Sequence, residues 1–262
     1  MGIYDVHAHL NDNLYLDLDI SSTDIVRGAV EANVDLINNV GFDIKSSKIA
    51  VIQAEKHANI YAIVGIHPND VHLFANEAYE QLDILANANK VVAIGEIGLD
   101  YSRTDRYIEV QKEALKMQIK IAQSHNLPIM AHIKDVGQSE QAFNDALEIF
   151  ESFKCKEVVV HDFNGTKEQI DRLVELGYYI SINGEVTRNK ELAKVIKYIP
   201  IKNLMVESDA PYKAPKPYDK VVNYPKFLPL TTRILAQLKN MNEEELIAAT
   251  RKNATSFFGI NK

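Results

Sequence analysis

Four histidines and two acids stand out in this chain, because each closes an apolar run of strand length. His7 and His9 follow Ile3–Val6, two residues apart, and the strand period turns both side chains to the same side as a ready pair of metal ligands. Glu96 ends a Val/Ile-rich run between two glycines, where an unpaired buried carboxylate would cost several kcal/mol or take up a proton. Something cationic is therefore expected beside it. His132 ends the run that starts at Leu127, His161 ends Glu157–Val160, and Asp209 follows Leu204–Val206. One histidine of this kind is often just a satisfied core residue, but the joint placement argues for a metal centre. Nitrogen and oxygen donors suit Zn²⁺ or Mn²⁺, and Mg²⁺ less typically. Six donors exceed the needs of one tetrahedral ion. The expected arrangement is one ion on His7, His9 and Asp209, a second on His132 and His161, and Glu96 bridging them. Such a centre activates water for hydrolysis, and Asp209 is placed to accept the proton and return it to the leaving group.

Other residues at strand ends are expected at the same mouth. His67, in Gly65-Ile66-His67-Pro68, is a candidate for holding a substrate oxygen or protonating the leaving group, or for shaping the turn. Glu207 shares a side with Asp209 and is expected to orient a ligand from behind. Arg103, Lys134 and Lys213 should rim the mouth, as a phosphate-bearing substrate would require, while Lys216 and Lys220 read as solvated. Tyr101, Phe163 and Tyr212 could stack on a flat group, although loop aromatics more often pack on their own domain. There is no Walker-type loop, no Cys-x-x-Cys, no nucleophile elbow and no dinucleotide fingerprint.

Eight apolar runs must position these groups: residues 3–6, 34–37, 60–64, 91–100, 127–132, 157–161, 178–182 and 202–206. Helix-sized connections separate them. One starts at a cap on Ser21 or Ser22, one carries Ile44, Ile49, Ile52 and Ala54, and one spans about 75–88. A long one over 105–124 has a stripe at Val110, Ala114, Met117 and Ile121. The last is capped by Asn242, with Glu245 three residues on. Eight strands alternating with helices close most simply as an α/β fold of the (β/α)₈ TIM-barrel type, a single domain over 1–262. An open doubly wound sheet would bring only one or two strand ends together, whereas here polar candidates end six strands.

The chain has 262 residues, 46% hydrophobic and 25% charged, with a formal net charge of −7. These values suit one soluble α/β domain. No apolar stretch is long enough for a membrane span and no secretory leader opens the sequence, so the expected setting is cytoplasmic, without membrane contact. Cys155 is the only cysteine, which rules out an intrachain disulfide and leaves nitrogen and oxygen for any metal. The acidic total speaks against a general nucleic-acid coat but says little about a local cleft. A barrel of this size could act as a monomer or weak oligomer.

Along its whole length the sequence resembles the TatD family of metal-dependent deoxyribonucleases, among the amidohydrolase-like TIM barrels. The resemblance rests on Asp5-Val6-His7-Ala8-His9-Leu10, Gly65-Ile66-His67-Pro68, Gly95-Glu96-Ile97-Gly98-Leu99-Asp100-Tyr101, His161-Asp162-Phe163-Asn164-Gly165 and Val206-Glu207-Ser208-Asp209-Ala210-Pro211-Tyr212. It implies a two-metal hydrolase with His7, His9, Glu96, His132, His161 and Asp209 as ligands. The implied substrate is DNA, cut at phosphodiester bonds, often from 3′ to 5′. Two departures bear on substrate. Where the family usually has arginine shortly after the fifth-strand histidine, this chain has Lys134, which keeps the charge but loses the bidentate fork. Where the family usually shows arginine followed by Asn-Glu-Pro, it has Val222-Asn223-Tyr224-Pro225.

The leading expectation is a deoxyribonuclease using two divalent ions, with Asp209, Glu96 and His67 as catalytic groups. Glu207, Lys134, Arg103 and Tyr212 would support ligands or substrate. An amidohydrolase-like or phosphoesterase activity on a small molecule is the alternative, since one barrel hosts many chemistries. Cleavage of D-aminoacyl-RNA or another nucleic-acid-linked ester is a further one.

Overall fold

The computed structural model describes residues 1–260, so the expected unit of 1–262 runs two residues beyond those described. Its eight strands are β1 (Ile3–Ala8), β2 (Val34–Val40), β3 (Ile60–Val64), β4 (Val91–Asp100), β5 (Ile129–Lys134), β6 (Val158–Val160), β7 (Tyr179–Ile182) and β8 (Leu204–Val206). They lie in sequence order in one sheet, and every ladder is parallel. The helices are α1 (Asn13–Asp17), α2 (Ser22–Glu31), α3 (Ile44–Lys56), α4 (Asn76–Ala86), α5 (Ile108–Ser124), α6 (Gln141–Ser152), α7 (Lys167–Glu175), α8 (Lys190–Ile196), α9 (Leu228–Leu238) and α10 (Glu243–Phe257). This is a (β/α)₈ TIM barrel in a single domain. No helix among the described residues is long and apolar enough to cross a membrane.

Two apolar clusters follow from strand alternation. Tyr4, Val6, Leu36, Ile63, Met130, Val159 and Met205 fill the barrel interior, and Phe257, Phe258 and Ile260 close the end opposite the site. The larger cluster seals the outer strand faces against the helices. The barrel closes at its mouth through the segment after β8: the Asp209 N–H donates to His7 O (2.9 Å) and the His9 N–H to Ala210 O (2.7 Å). Those two bonds also bring Asp209 beside the histidine pair.

Three details differ from the sequence reading. In α5, Val110 is exposed; the buried face runs through Gln111, Ala114, Leu115, Gln118 and Ile121. Both glutamines clamp backbone outside the helix, Gln111 the N–H and C=O of Asp100 at the end of β4, and Gln118 those of Ile66 in the turn after β3. These bonds satisfy buried peptide groups that no ladder reaches. Ile52 likewise points outward from α3, and residues 201–203 form a 3₁₀ turn that delays β8 to Leu204. The α2 cap is Ser21, and Asn242 caps α10 through the Glu244 N–H.

Candidate metal centre

Both strands that carry the central groups break register where those groups sit. The β1–β2 ladder shifts between Asp5 and Ala8, around His7, and the β4–β5 ladder shifts between Ile94 and Ile97, around Glu96. Irregularities of this kind re-aim a side chain. Gly98 holds β4 against β5, with φ at +152° and a Cβ position only 1.9 Å from His132 O. No other residue would let Glu96 and His132 approach so closely.

Each of the four imidazoles turns one ring nitrogen to the surrounding protein, and for His161 that nitrogen makes no hydrogen bond among the described residues. His9 Nδ1 donates to Val40 O (2.9 Å) and His7 Nδ1 meets Met130 Sδ (2.8 Å). His132 Nε2 faces Asp100 Oδ2 (3.4 Å), and His161 Nδ1 faces Glu207 Oε1 at 3.8 Å. Their other nitrogens converge. His7 Nε2 and His9 Nε2 are 3.1 Å apart, and each lies 3.7 Å from Asp209 Oδ1. Glu96 Oε2 lies 3.7 and 3.6 Å from the same two atoms. Glu96 Oε1 is 2.7 Å from His132 Nδ1 and 2.8 Å from His161 Nε2. One carboxylate thus reaches both histidine pairs. Groups able to hold a metal ion are His7, His9 and Asp209; His7, Glu96 and His161; and His67, Asp100 and His132.

The electrostatics fit a centre built for cations. Burial and the neighbouring histidines His161 and His9 push the His7 pKa well below its usual value. Burial and the nearby Asp162 carboxylate push Asp209 well above the carboxylate range. Burial opposes the charge on Glu96, but the surrounding imidazoles hold its pKa well below normal. Six nitrogen and oxygen donors, with every free ring nitrogen turned inward, suit two divalent ions, whose charge would relieve the crowded acids.

His67 belongs to this mouth but its hydrogen bonding differs. The Asn69 N–H donates to His67 Nδ1 (3.1 Å), so the ring proton sits on Nε2, which faces Glu96 Oε1 at 3.4 Å. The residue is set as a donor. Asp100, which the sequence reading treated only as the end of a strand, accepts from His132 Nε2, from Asn69 Nδ2 (2.7 Å) and from Ser102 N (2.9 Å) and Oγ (2.6 Å). Burial opposes its ionisation, yet the His132 and Ser102 hydrogen bonds hold its pKa well below the usual range. Glu207 is fully buried and accepts from Asp162 N (2.7 Å), Asn183 Nδ2 (3.2 Å) and Ser181 Oγ.

A cleft of 390 Å³ opens over these groups, lined also by Arg103, Lys134, Asp162, Tyr212 and Lys213. Asp162, missed by the sequence reading, holds two ammonium groups: Lys213 Nζ at 3.0 Å and Lys134 Nζ at 3.4 Å. Arg103 is exposed and has no ion pair among the described residues. Tyr212 is exposed, with its hydroxyl on Asp12 (2.7 Å) and its ring edge-on to His9. Tyr101 and Phe163 are buried in the barrel wall, Tyr101 bonded to Asp145 (2.9 Å), so neither offers an open face in the cleft. Lys216 and Lys220 are exposed.

A TIM barrel that gathers such a donor set at the C-terminal ends of its strands is a metal-dependent hydrolase acting on ester-type bonds. The chain belongs to the TatD-related DNase family, whose model matches residues 4–259. It is 34% identical over 263 residues to the uncharacterized metal-dependent hydrolase YabD of Bacillus subtilis, covering 99% of this chain and 100% of that one. It is 33% identical over 246 residues to the 3′-5′ ssDNA/RNA exonuclease TatD of Escherichia fergusonii, covering 91% and 93%. Among solved structures, YJJV, a TatD homolog from Escherichia coli K12, superimposes with a TM-score of 0.90 at 25% identity, covering 99% of this chain and 98% of that one.

Proposed function

We propose that this chain is a divalent-metal-dependent deoxyribonuclease that shortens single strands from the 3′ end. The observation that carries the reading is the double cluster around Glu96 with the Lys134–Asp162–Lys213 group beside it. Similarity to a TatD described as a 3′-5′ ssDNA/RNA exonuclease supports the substrate class and direction. His7, His9 and Asp209 would hold one ion and His132 and His161 the other, with Glu96 shared; Zn²⁺, Mn²⁺ and Mg²⁺ all suit nitrogen and oxygen donors. When bound, the ions acidify a water and polarise the phosphoryl oxygens.

The residues divide the remaining work. Asp209, whose carboxylate lies beside the His7–His9 pair at the edge of the centre, accepts a proton from the attacking water. Water adds to phosphorus, the P–O bond to the leaving sugar breaks, and the proton on Asp209 returns to that oxygen. His67 offers its Nε2–H to a phosphoryl or leaving oxygen. Lys134 and Lys213 hold a strand phosphate, Arg103 adds charge at the rim, and Tyr212 supplies an exposed ring. Glu207 and Asp100 orient His161 and His132 from behind. The same reading places the chain in the cytoplasm, where a lone thiol stays reduced, as a monomer or weak oligomer.

The test puts metal-stripped protein, reloaded with Mg²⁺, Mn²⁺ or Zn²⁺, on 5′-labelled single-stranded DNA. Products shortening from the 3′ end, absent with Asp209→Asn, are expected. Intact DNA under all three ions, with metal bound, would overturn the reading in favour of a small-molecule substrate.

A further inference from the structure

A second cavity, of 480 Å³, lies between the loops that follow β5 and β6. It is continuous with the metal cleft, because His132, Lys134, His161 and Asp162 line both. Its volume falls in the range of small-molecule pockets, with room for one nucleoside. Phe143 and Phe163, both buried, give it an apolar wall. Gln169 gives it a polar point: Oε1 accepts from Thr166 N (3.1 Å), which leaves the amide nitrogen as a donor on the cavity side. Gly165 keeps this wall thin, since a Cβ there would lie 2.0 Å from Gln169 Oε1 and 2.8 Å from the Phe163 ring.

The charges select what can enter. Asp135 and Glu140 line the cavity, and the Asp135 carboxylate is already bound to the N–H groups of Ala142 (2.7 Å) and Phe143 (3.1 Å). An anion is therefore disfavoured inside, while the two ammonium groups on Asp162 favour one at the shared edge. A neutral, flat, hydrogen-bonding group covalently joined to a phosphate meets both conditions. We propose that this cavity holds one nucleobase of the substrate strand, next to the phosphate at Lys134 and Lys213. The proposal rests on the strand-cleaving reading above. A base packs against the apolar wall at Phe143 and Phe163 and presents an edge acceptor to the Gln169 amide. All four bases carry such an acceptor, so the subsite fixes register on the strand without demanding a sequence.

An abasic scan tests this. A fluorescent phosphorothioate strand, resistant to cleavage, is titrated with Mg²⁺-loaded protein by anisotropy, and one base is removed at each position in turn. Loss of one particular base near the 3′ end is expected to weaken binding about tenfold, and other positions much less. Gln138→Trp fills the cavity from an exposed position with no side-chain hydrogen bond among the described residues. Gln169→Glu removes the donor and keeps an oxygen for the Thr166 N–H. Either variant should bind the intact strand as weakly as wild type binds the abasic one, with an unchanged melting temperature, and should no longer sense the missing base. A flat scan, or full sensitivity kept in both variants, with the phosphorothioate strand bound and the unmodified strand cut, would overturn the subsite alone. A wild-type protein that neither binds the phosphorothioate strand nor cuts its unmodified counterpart would overturn the strand-cleaving reading and the subsite with it.

Discussion

Asp100→Asn separates a ligand-orienting role from a merely structural one. In the wild type, Asp100 Oδ1 accepts two bonds from Ser102, while Oδ2 accepts from His132 Nε2 (3.4 Å) and from Asn69 Nδ2 (2.7 Å). An amide keeps one oxygen, which Ser102 claims with two donors, so the new NH₂ must face His132 and Asn69. Facing a donor, His132 can accept only through Nε2, which moves its proton to Nδ1, the atom 2.7 Å from Glu96 Oε1. That nitrogen can then no longer take a metal ion. Loss of an orienting carboxylate behind a metal-binding histidine typically weakens affinity 10–100-fold, about 1.4–2.8 kcal/mol. The assay is a chelator competition with Mn²⁺ or Zn²⁺, read as affinity and ions per chain, beside urea unfolding in chelator. The expected result is loss of the weaker-bound ion at concentrations that saturate the wild type, with metal-free stability little changed. Unchanged affinity and stoichiometry would refute the tautomer argument, and an equal loss at both ions would point to general loosening of the mouth.

Gln118→Leu removes the partner of both the Ile66 N–H and C=O in a buried turn, so urea unfolding should show a loss of about 2 kcal/mol or more; a neutral effect would mean that water reaches that turn. Lys134→Ala should weaken binding of single-stranded DNA and lower the slope of log affinity against log salt by about 0.7. An unchanged slope would remove Lys134 from the phosphate contacts. Burial pushes the Cys155 thiol up to about 11, so at pH 8 its thiolate fraction should be roughly a hundredfold below that of an ordinary thiol. Disulfide reagents should react correspondingly slowly and faster as pH approaches 11, and reaction at the rate of free cysteine would contradict that burial.

The barrel was legible because its strands are apolar runs ended by polar residues, a pattern set by burial on both faces. The inner groups were legible for the same reason: an acid or imidazole at the end of a buried strand needs a partner, and Glu96, His132 and His161 find one another. What could not be read depends on contacts between residues far apart in sequence. Gln111 and Gln118 look like the solvent face of α5, but Gln111 satisfies buried backbone at the end of β4 and Gln118 that of the turn after β3, and this turns the helix so that Val110 faces water. Asp162 looks like an ordinary loop acid beside His161. Only the fold brings Lys134 from β5 and Lys213 from the segment after β8 onto its carboxylate.

That clamp changes the meaning of the departure at Lys134. A lone lysine in place of an arginine is a flexible point charge and a weaker grip on phosphate. Held by a buried carboxylate beside a second lysine, it loses less freedom on binding, and the pair offers two ammonium groups at fixed positions. Burial alone would lower the Lys213 pKa, yet Asp162 raises it, so the site keeps its charge near neutral pH. The chain can thus recover with two lysines and one acid part of what a planar guanidinium would give. The cost is that Asp162 cancels one of the two charges. Removing either lysine should therefore leave the other neutralised by Asp162, and removing both should leave that carboxylate unpaired against the strand, so a Lys134→Ala and Lys213→Ala double variant should bind strand more weakly than either single one. A double variant that binds no worse than either single one would show that the second lysine does not touch the strand.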